Sequence, residues 1–217
     1  MAGIRHGASS ETFNPEELKV ILAAADQMVV RVRGVGDDPL FMGRLLRTLL
    51  YTGIHISNFS GCRPRKGHSR KAGDYMRSAI PKITSACLQE RTSSTGAPQM
   101  YLVYRRVKKK RDNVVQVPIS QNLMPWLPAF LDQRKPTDPS RYNQLMKDLE
   151  GRLLANGHRI HLNPHRFRHT TMRLLRAEFG FSMEDIERIV STTRQTLDKY
   201  ARRPIDELAA ELTQKGW

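Results

Sequence analysis

Two Asn-Pro pairs fix where helices must begin. Proline has no backbone N–H and a preset φ, so it suits the first helical position. An Asn just before it can accept a bond from an amide that the first turn leaves over. Asn14-Pro15-Glu16-Glu17 has both features, and Glu17 stands where its carboxylate can return a bond to the cap. Behind it Leu18, Ile21, Leu22, Ala25, Met28 and Val29 recur at helical spacing. Asn163-Pro164 predicts a second such start, for a helix carrying His165–Phe179, and Ser182 with Asp185 predicts a third, over Met183–Val190. Helices are also expected over Leu40–Tyr51, closed by Thr52-Gly53, and over Ser140–Asn156, closed by Gly157. Pro125 and Pro128 keep any helix in Leu123–Leu131 short.

Strand signals are few. Tyr101–Arg106 and Val114–Val117 are β-rich and predict an antiparallel hairpin, while 62–99 is rich in Ser, Gly and Pro and is expected to be loop. The Gly/Asp/Pro stretch Gly34–Pro39 breaks the chain between the first two helices. The expected class is mainly α with a small antiparallel β-sheet. One domain over residues 14–217 follows a disordered tail over residues 1–13. Ile205, Leu208, Ala209 and Leu212 give the C-terminal stretch a helical apolar row.

The chain carries 36 Lys and Arg against 21 Asp and Glu, a formal net charge of +15. A domain this basic points to nucleic acid ahead of an acidic surface. The charge is concentrated in two places. One is Arg63, Arg65, Lys66, Arg70 and Lys71; the other is Arg105, Arg106, Lys108, Lys109, Lys110 and Arg111 at the hairpin turn. Cys62 and Cys87 are the only cysteines, too few for a disulfide framework, and Cys62 with His68 lacks further ligands, so no metal is expected. No apolar run reaches a membrane-spanning length. Cytoplasmic, nucleoid-associated or nuclear location follows as the expectation, with double-stranded DNA as partner.

Chemistry gathers near the C-terminus. His165, Arg168 and His169 form an H-x-x-R-H box, and Tyr200 follows 32 residues after Arg168. A guanidinium can fork onto two phosphate oxygens, an imidazole can donate to phosphate or move a proton, and a phenol can attack phosphorus. The box resembles the H-x-L-R-H-[TS] signature of the tyrosine recombinase (phage integrase) family, and the likeness spans roughly 14–215, the family's catalytic domain. Thr52-Gly53-Ile54-His55-Ile56-Ser57-Asn58 keeps the frame of the family's T-G-x-R-x-[SG]-E block, with His55 in the arginine position and Asn58 in the acidic one. Val107–Pro118 is similar to the family's lysine hairpin; counting back from Pro118 selects Lys110, with Lys108 and Lys109 as rivals. Ser191 stands where the family has His or Trp, and Tyr200 falls at the nucleophile's distance.

The resemblance implies attack by Tyr200 on a backbone phosphate, giving a 3′-phosphotyrosyl link without metal or nucleotide cofactor. His165, Arg168, Lys110, His55 and Ser191 would surround it, with Arg166 among the DNA contacts. It also implies that the last helix can dock on a second copy. Fixed positive charge aimed at the phosphate oxygens usually contributes most to such catalysis, and losing one donor costs on the order of 10²–10³ in rate. His55 lacks the bidentate fork, and Asn58 cannot supply the negative charge that would favour imidazolium. The leading expectation is a DNA-binding protein, weak or inactive in recombination. The alternative is an active recombinase in which another cation, with Arg44, Arg47, Arg63 and Arg65 nearest in sequence, replaces the lost arginine. An RNA- or ribosome-binding basic protein is the third reading.

Overall fold

A computed structural model describes residues 12–32, 36–61, 82–92, 98–108, 111–133 and 139–190. Among these the elements run α1 (Pro15–Asp26), β1 (Val30–Val32), β2 (Gly36–Asp38), α2 (Phe41–Thr52), α3 (Ile56–Ser60), β3 (Leu88–Thr92), β4 (Pro98–Lys108), β5 (Arg111–Pro118), α4 (Leu127–Asp132), α5 (Pro139–Ala155), α6 (Pro164–Ala177) and α7 (Met183–Val190). The fold is mainly α with a small antiparallel sheet, as the sequence predicts.

Both Asn-Pro starts form as expected. The Asn14 side chain accepts from Glu17 N at 2.7 Å, and Glu17 Oε2 accepts from Asn14 N at 2.9 Å, closing a capping box. Asn163 Oδ1 accepts from His165 N at 2.8 Å at the head of α6. Ser182 Oγ accepts from Asp185 N at 3.1 Å and donates to its carboxylate at 2.6 Å, fixing the start of α7.

Helices α1, α2, α5 and α6 enclose one core. Its aromatic centre is Phe130, which packs against Phe41, Phe59 and Trp126 with ring centres 5.5, 5.6 and 5.9 Å away; Phe59 also meets Tyr142 at 6.0 Å. Burial of the Tyr142 ring raises its phenol pKa well above the usual value. Leu102, Tyr104, Val115 and Val117, alternating along β4 and β5, cover the same core from the sheet.

Four expectations need correction. Phe13 belongs to the core and not to a tail: it is buried, its N–H donates to Thr170 Oγ1 at 2.9 Å, and its ring lies 4.8 Å from that of Phe167. Val29 does not continue the α1 stripe, because the helix stops at Asp26 and Val29 is exposed ahead of strand β1. The break at Gly34–Pro39 contains β2, paired antiparallel with β1. The stretch expected to be loop contains β3, which pairs Leu88 with Leu102 through Thr92 with Pro98 to make a three-stranded sheet, β3-β4-β5. As an edge strand it exposes four of its five residues, so it shows no inside–outside alternation to read.

Candidate phosphate-binding site

The site is built where α2 ends against α6. Gly53 closes α2 in the left-handed conformation, φ +59°, which a residue with a Cβ adopts at a cost. A Cβ there would also press on Val190 Cγ1 at 3.1 Å and Thr171 Cγ2 at 3.3 Å. The turn then places His55 as the N-cap of α3, with Asn58 buried one turn later.

Helix α6 is tied to that turn by two side chains. Thr171 Oγ1 donates to Leu50 O at 2.6 Å. Arg168, 4% exposed, donates from one terminal nitrogen to Gly53 O and from the other to Val190 O. One buried guanidinium therefore joins the end of α2, the middle of α6 and the end of α7. Buried carbonyls need such partners, and a charged donor makes the stronger bond.

On the outer side of this knot the imidazoles meet. His55 and His165 pack edge to face, ring centres 5.3 Å apart at 73°, and the His169 ring lies 6.4 Å from that of His165. His165 is exposed; His55 and His169 are half-buried. His55 and His165 are thus in ring contact, and Arg168 holds the Gly53 carbonyl two residues before His55. His169 joins them, although sequence reasoning gave it no role. Its signal was available: four residues after His165 on one helix, it must share that face. Among the described residues, no group of three or more His, Cys, Asp or Glu is arranged to hold a metal ion.

Arg166 has a different position from the one expected on DNA. It is buried beneath the N-terminal segment, donating to His161 O at 2.6 Å and Thr12 O at 3.1 Å, with its guanidinium 4.0 Å from the centre of the Phe13 ring. Burial lowers its pKa, and the Glu17 carboxylate, 3.6 Å away, acts in the opposite direction. Two of the cations considered as stand-ins for the missing arginine are also held elsewhere. Arg47 forks onto Asp26 at 2.5 and 2.7 Å, a bond that raises its pKa, and Arg44 lies over the Trp126 ring at 5.9 Å.

Arg105 is exposed on β4, and Arg106, Lys108 and Arg111 have their backbones in the β4–β5 hairpin, where Lys108 pairs with Arg111. Lys109, Lys110, Arg63, Arg65, Lys66, Arg70, Lys71, Ser191 and Tyr200 lie outside the described residues. A groove of about 410 Å³ between α2, α6 and the end of β5 is mostly apolar, lined by Leu50, Ile119, Leu174, Phe179 and Ile189 among others, and holds none of the candidate residues. No helix among the described residues is long and apolar enough to cross a membrane.

No protein-family model matches the sequence, and no curated protein does. Solved structures do match in shape. The XerA recombinase superposes with a TM-score of 0.61 at 15% identity, over 95% of this chain and 65% of that one. The XerH site-specific recombinase, bound to palindromic difH substrate in a post-cleavage complex, gives 0.61 at 13% identity, over 98% of this chain and 55% of that one. The Tn1549 transposon integrase in complex with transposon right end DNA gives 0.56 at 16% identity, over 97% of this chain and 68% of that one. The chain spans 65% and 55% of the two Xer recombinase chains it matches. Its fold is that of tyrosine recombinases.

Proposed function

We propose that this chain binds duplex DNA, seats a backbone phosphate at the His55–His165–Arg168 cluster, and cleaves it weakly or not at all. The observation that carries the reading is the composition of that cluster. Where the resemblance calls for a second guanidinium, an imidazole packs against His165. The guanidinium that is present, Arg168, holds two backbone carbonyls. Such a site offers hydrogen-bond donors to a phosphate but little of the fixed, preorganised charge that stabilises a phosphorane.

DNA as the ligand is supported by the net charge of +15, by the run of six basic residues in seven over 105–111, and by the DNA-bound state of two of the structures sharing the fold. In this reading Arg105, Arg106, Lys108, Lys109 and Arg111 grip the backbone, and the 63–71 segment adds further cations. In the same reading Tyr200 is the nucleophile of whatever cleavage remains, and Lys110 and Ser191 act with it.

The test is the salt dependence of duplex binding by fluorescence anisotropy. Each phosphate neutralised contributes about −0.9 to the slope of log K against log salt, so several contacts give a steep line. A binding constant that does not change between low and physiological salt would remove DNA as the ligand.

A further inference from the structure

Three imidazoles from two parts of the chain meet at the first turns of α6. His55 faces His165 at 5.3 Å between ring centres, and His169 lies 6.4 Å from His165 on the same helix. One is exposed and two are half-buried, so water and a small anion reach the group. Arg168, on the same helix as His165 and His169, is buried and permanently charged. Among the described residues, several ionisable groups lie on the surrounding elements, with Arg166, Arg173 and Arg176 on α6 itself. From α2 come Arg44, Arg47 and Tyr51, with Arg44 over Trp126 and Arg47 on Asp26. Helix α3 carries no ionisable side chain, and α7 brings Glu184, Asp185, Glu187 and Arg188, with Asp185 engaged in the Ser182 cap.

Neutral imidazoles can pack edge to face at this distance without electrostatic cost. Two imidazolium ions so close to each other repel, so the free site disfavours charging both. A tetrahedral oxyanion seated among them reverses that preference, because each added proton is then attracted. We infer that the cluster is a proton-coupled oxyanion site: binding of a phosphate group is accompanied by proton uptake on His55 and His165.

The inference deepens the phosphate-binding reading and rests on it. An ordinary imidazole titrates near ~6.5, so binding strengthens as pH falls from 8 towards 6 and levels off once the free imidazoles are already charged. Each proton taken up gives up to about a tenfold gain in affinity per pH unit by linkage.

Sulfate tests this cleanly, since it stays a dianion across the range and any proton taken up belongs to the protein. Histidine ring signals of the full chain would be followed by NMR against pH, in sulfate and in chloride at equal ionic strength. His→Gln variants assign the peaks. Sulfate is expected to raise the titration midpoints of His55 and His165, leaving the exposed His158 and His161 as controls. If the first two move no more than the controls, the inference is wrong. A second arm compares duplex binding at pH 6 and pH 8 in the wild type and in the His55→Gln/His165→Gln double variant. The wild type should show the larger gain at pH 6; equal gains overturn proton coupling while leaving DNA binding intact. If no duplex binds at any pH, the DNA reading falls, and the sulfate titration still decides whether the oxyanion site exists.

Discussion

Replacing Arg168 with Met keeps most of the side-chain volume and removes both donors of the knot between α2, α6 and α7. Hydrogen bonds from a charged donor contribute about 1.5–3 kcal/mol each, so two give roughly 3–6 kcal/mol before any relief. Relief comes from no longer burying a charge and from water that reaches the freed carbonyls of Gly53 and Val190. The net loss should be about 2–4 kcal/mol. Arg168→Lys should fall between, because an ammonium on a flexible stem cannot hold two carbonyls in a fixed fork. Urea unfolding gives the stability change directly. Hydrogen exchange adds a local readout: amides of α7 from Ile186 to Val190 should lose more protection than those of α5. A Met variant within about 0.5 kcal/mol of the wild type would mean that those carbonyls are satisfied without the guanidinium.

Three further outcomes follow from particular contacts. Arg166→Met should cost about 1–3 kcal/mol in urea unfolding, through the lost bonds to His161 O and Thr12 O, and should leave duplex affinity within about twofold of wild type; a uniform loss of DNA binding in a folded variant would return Arg166 to the interface. Gly53→Ala should destabilise by about 1–3 kcal/mol through left-handed strain and the tight approach to Val190 and Thr171, read as a drop of several degrees in Tm. Tyr142 has its pKa raised by burial, so its contribution is fully present below the ordinary phenol value of ~10 and is lost as pH rises beyond it; Tyr142→Phe should flatten the alkaline arm of a stability–pH curve.

Much of this fold is legible because helix starts and stops depend on nearest neighbours. The Asn14 capping box, the Asn163 cap, the Ser182–Asp185 cap and the Gly53 and Gly157 stops each sit within four residues of what they bond, and the structure has all of them. What was not legible depends on distant partners. Strand β3 is a polar edge whose identity comes from pairing with β4, and Phe13 is placed by Phe167 and Thr170, far along the chain. The site divides in the same way. The motif frame groups His55, His165 and Arg168, since helical spacing and the turn after Gly53 are local. It cannot show that Arg166 points into the core while Arg168, two residues on, knots three elements. Nor does a one-dimensional match say that Arg47 is already engaged by Asp26.

Under the proposed function the site binds a phosphate but lacks the charge for efficient cleavage, chiefly because position 55 holds His. Covalent trapping on nicked duplex DNA, with Tyr200→Phe as the control, measures this most directly. The wild type should give little Tyr200-dependent adduct. His55→Arg, with Asn58→Glu to hold the guanidinium and Ser191→His beside the phenol, should raise it by about 10²–10³ with only a modest change in duplex affinity. A wild type that forms the adduct efficiently, and is slowed by His55→Arg, would instead make His55 a working part of an active site.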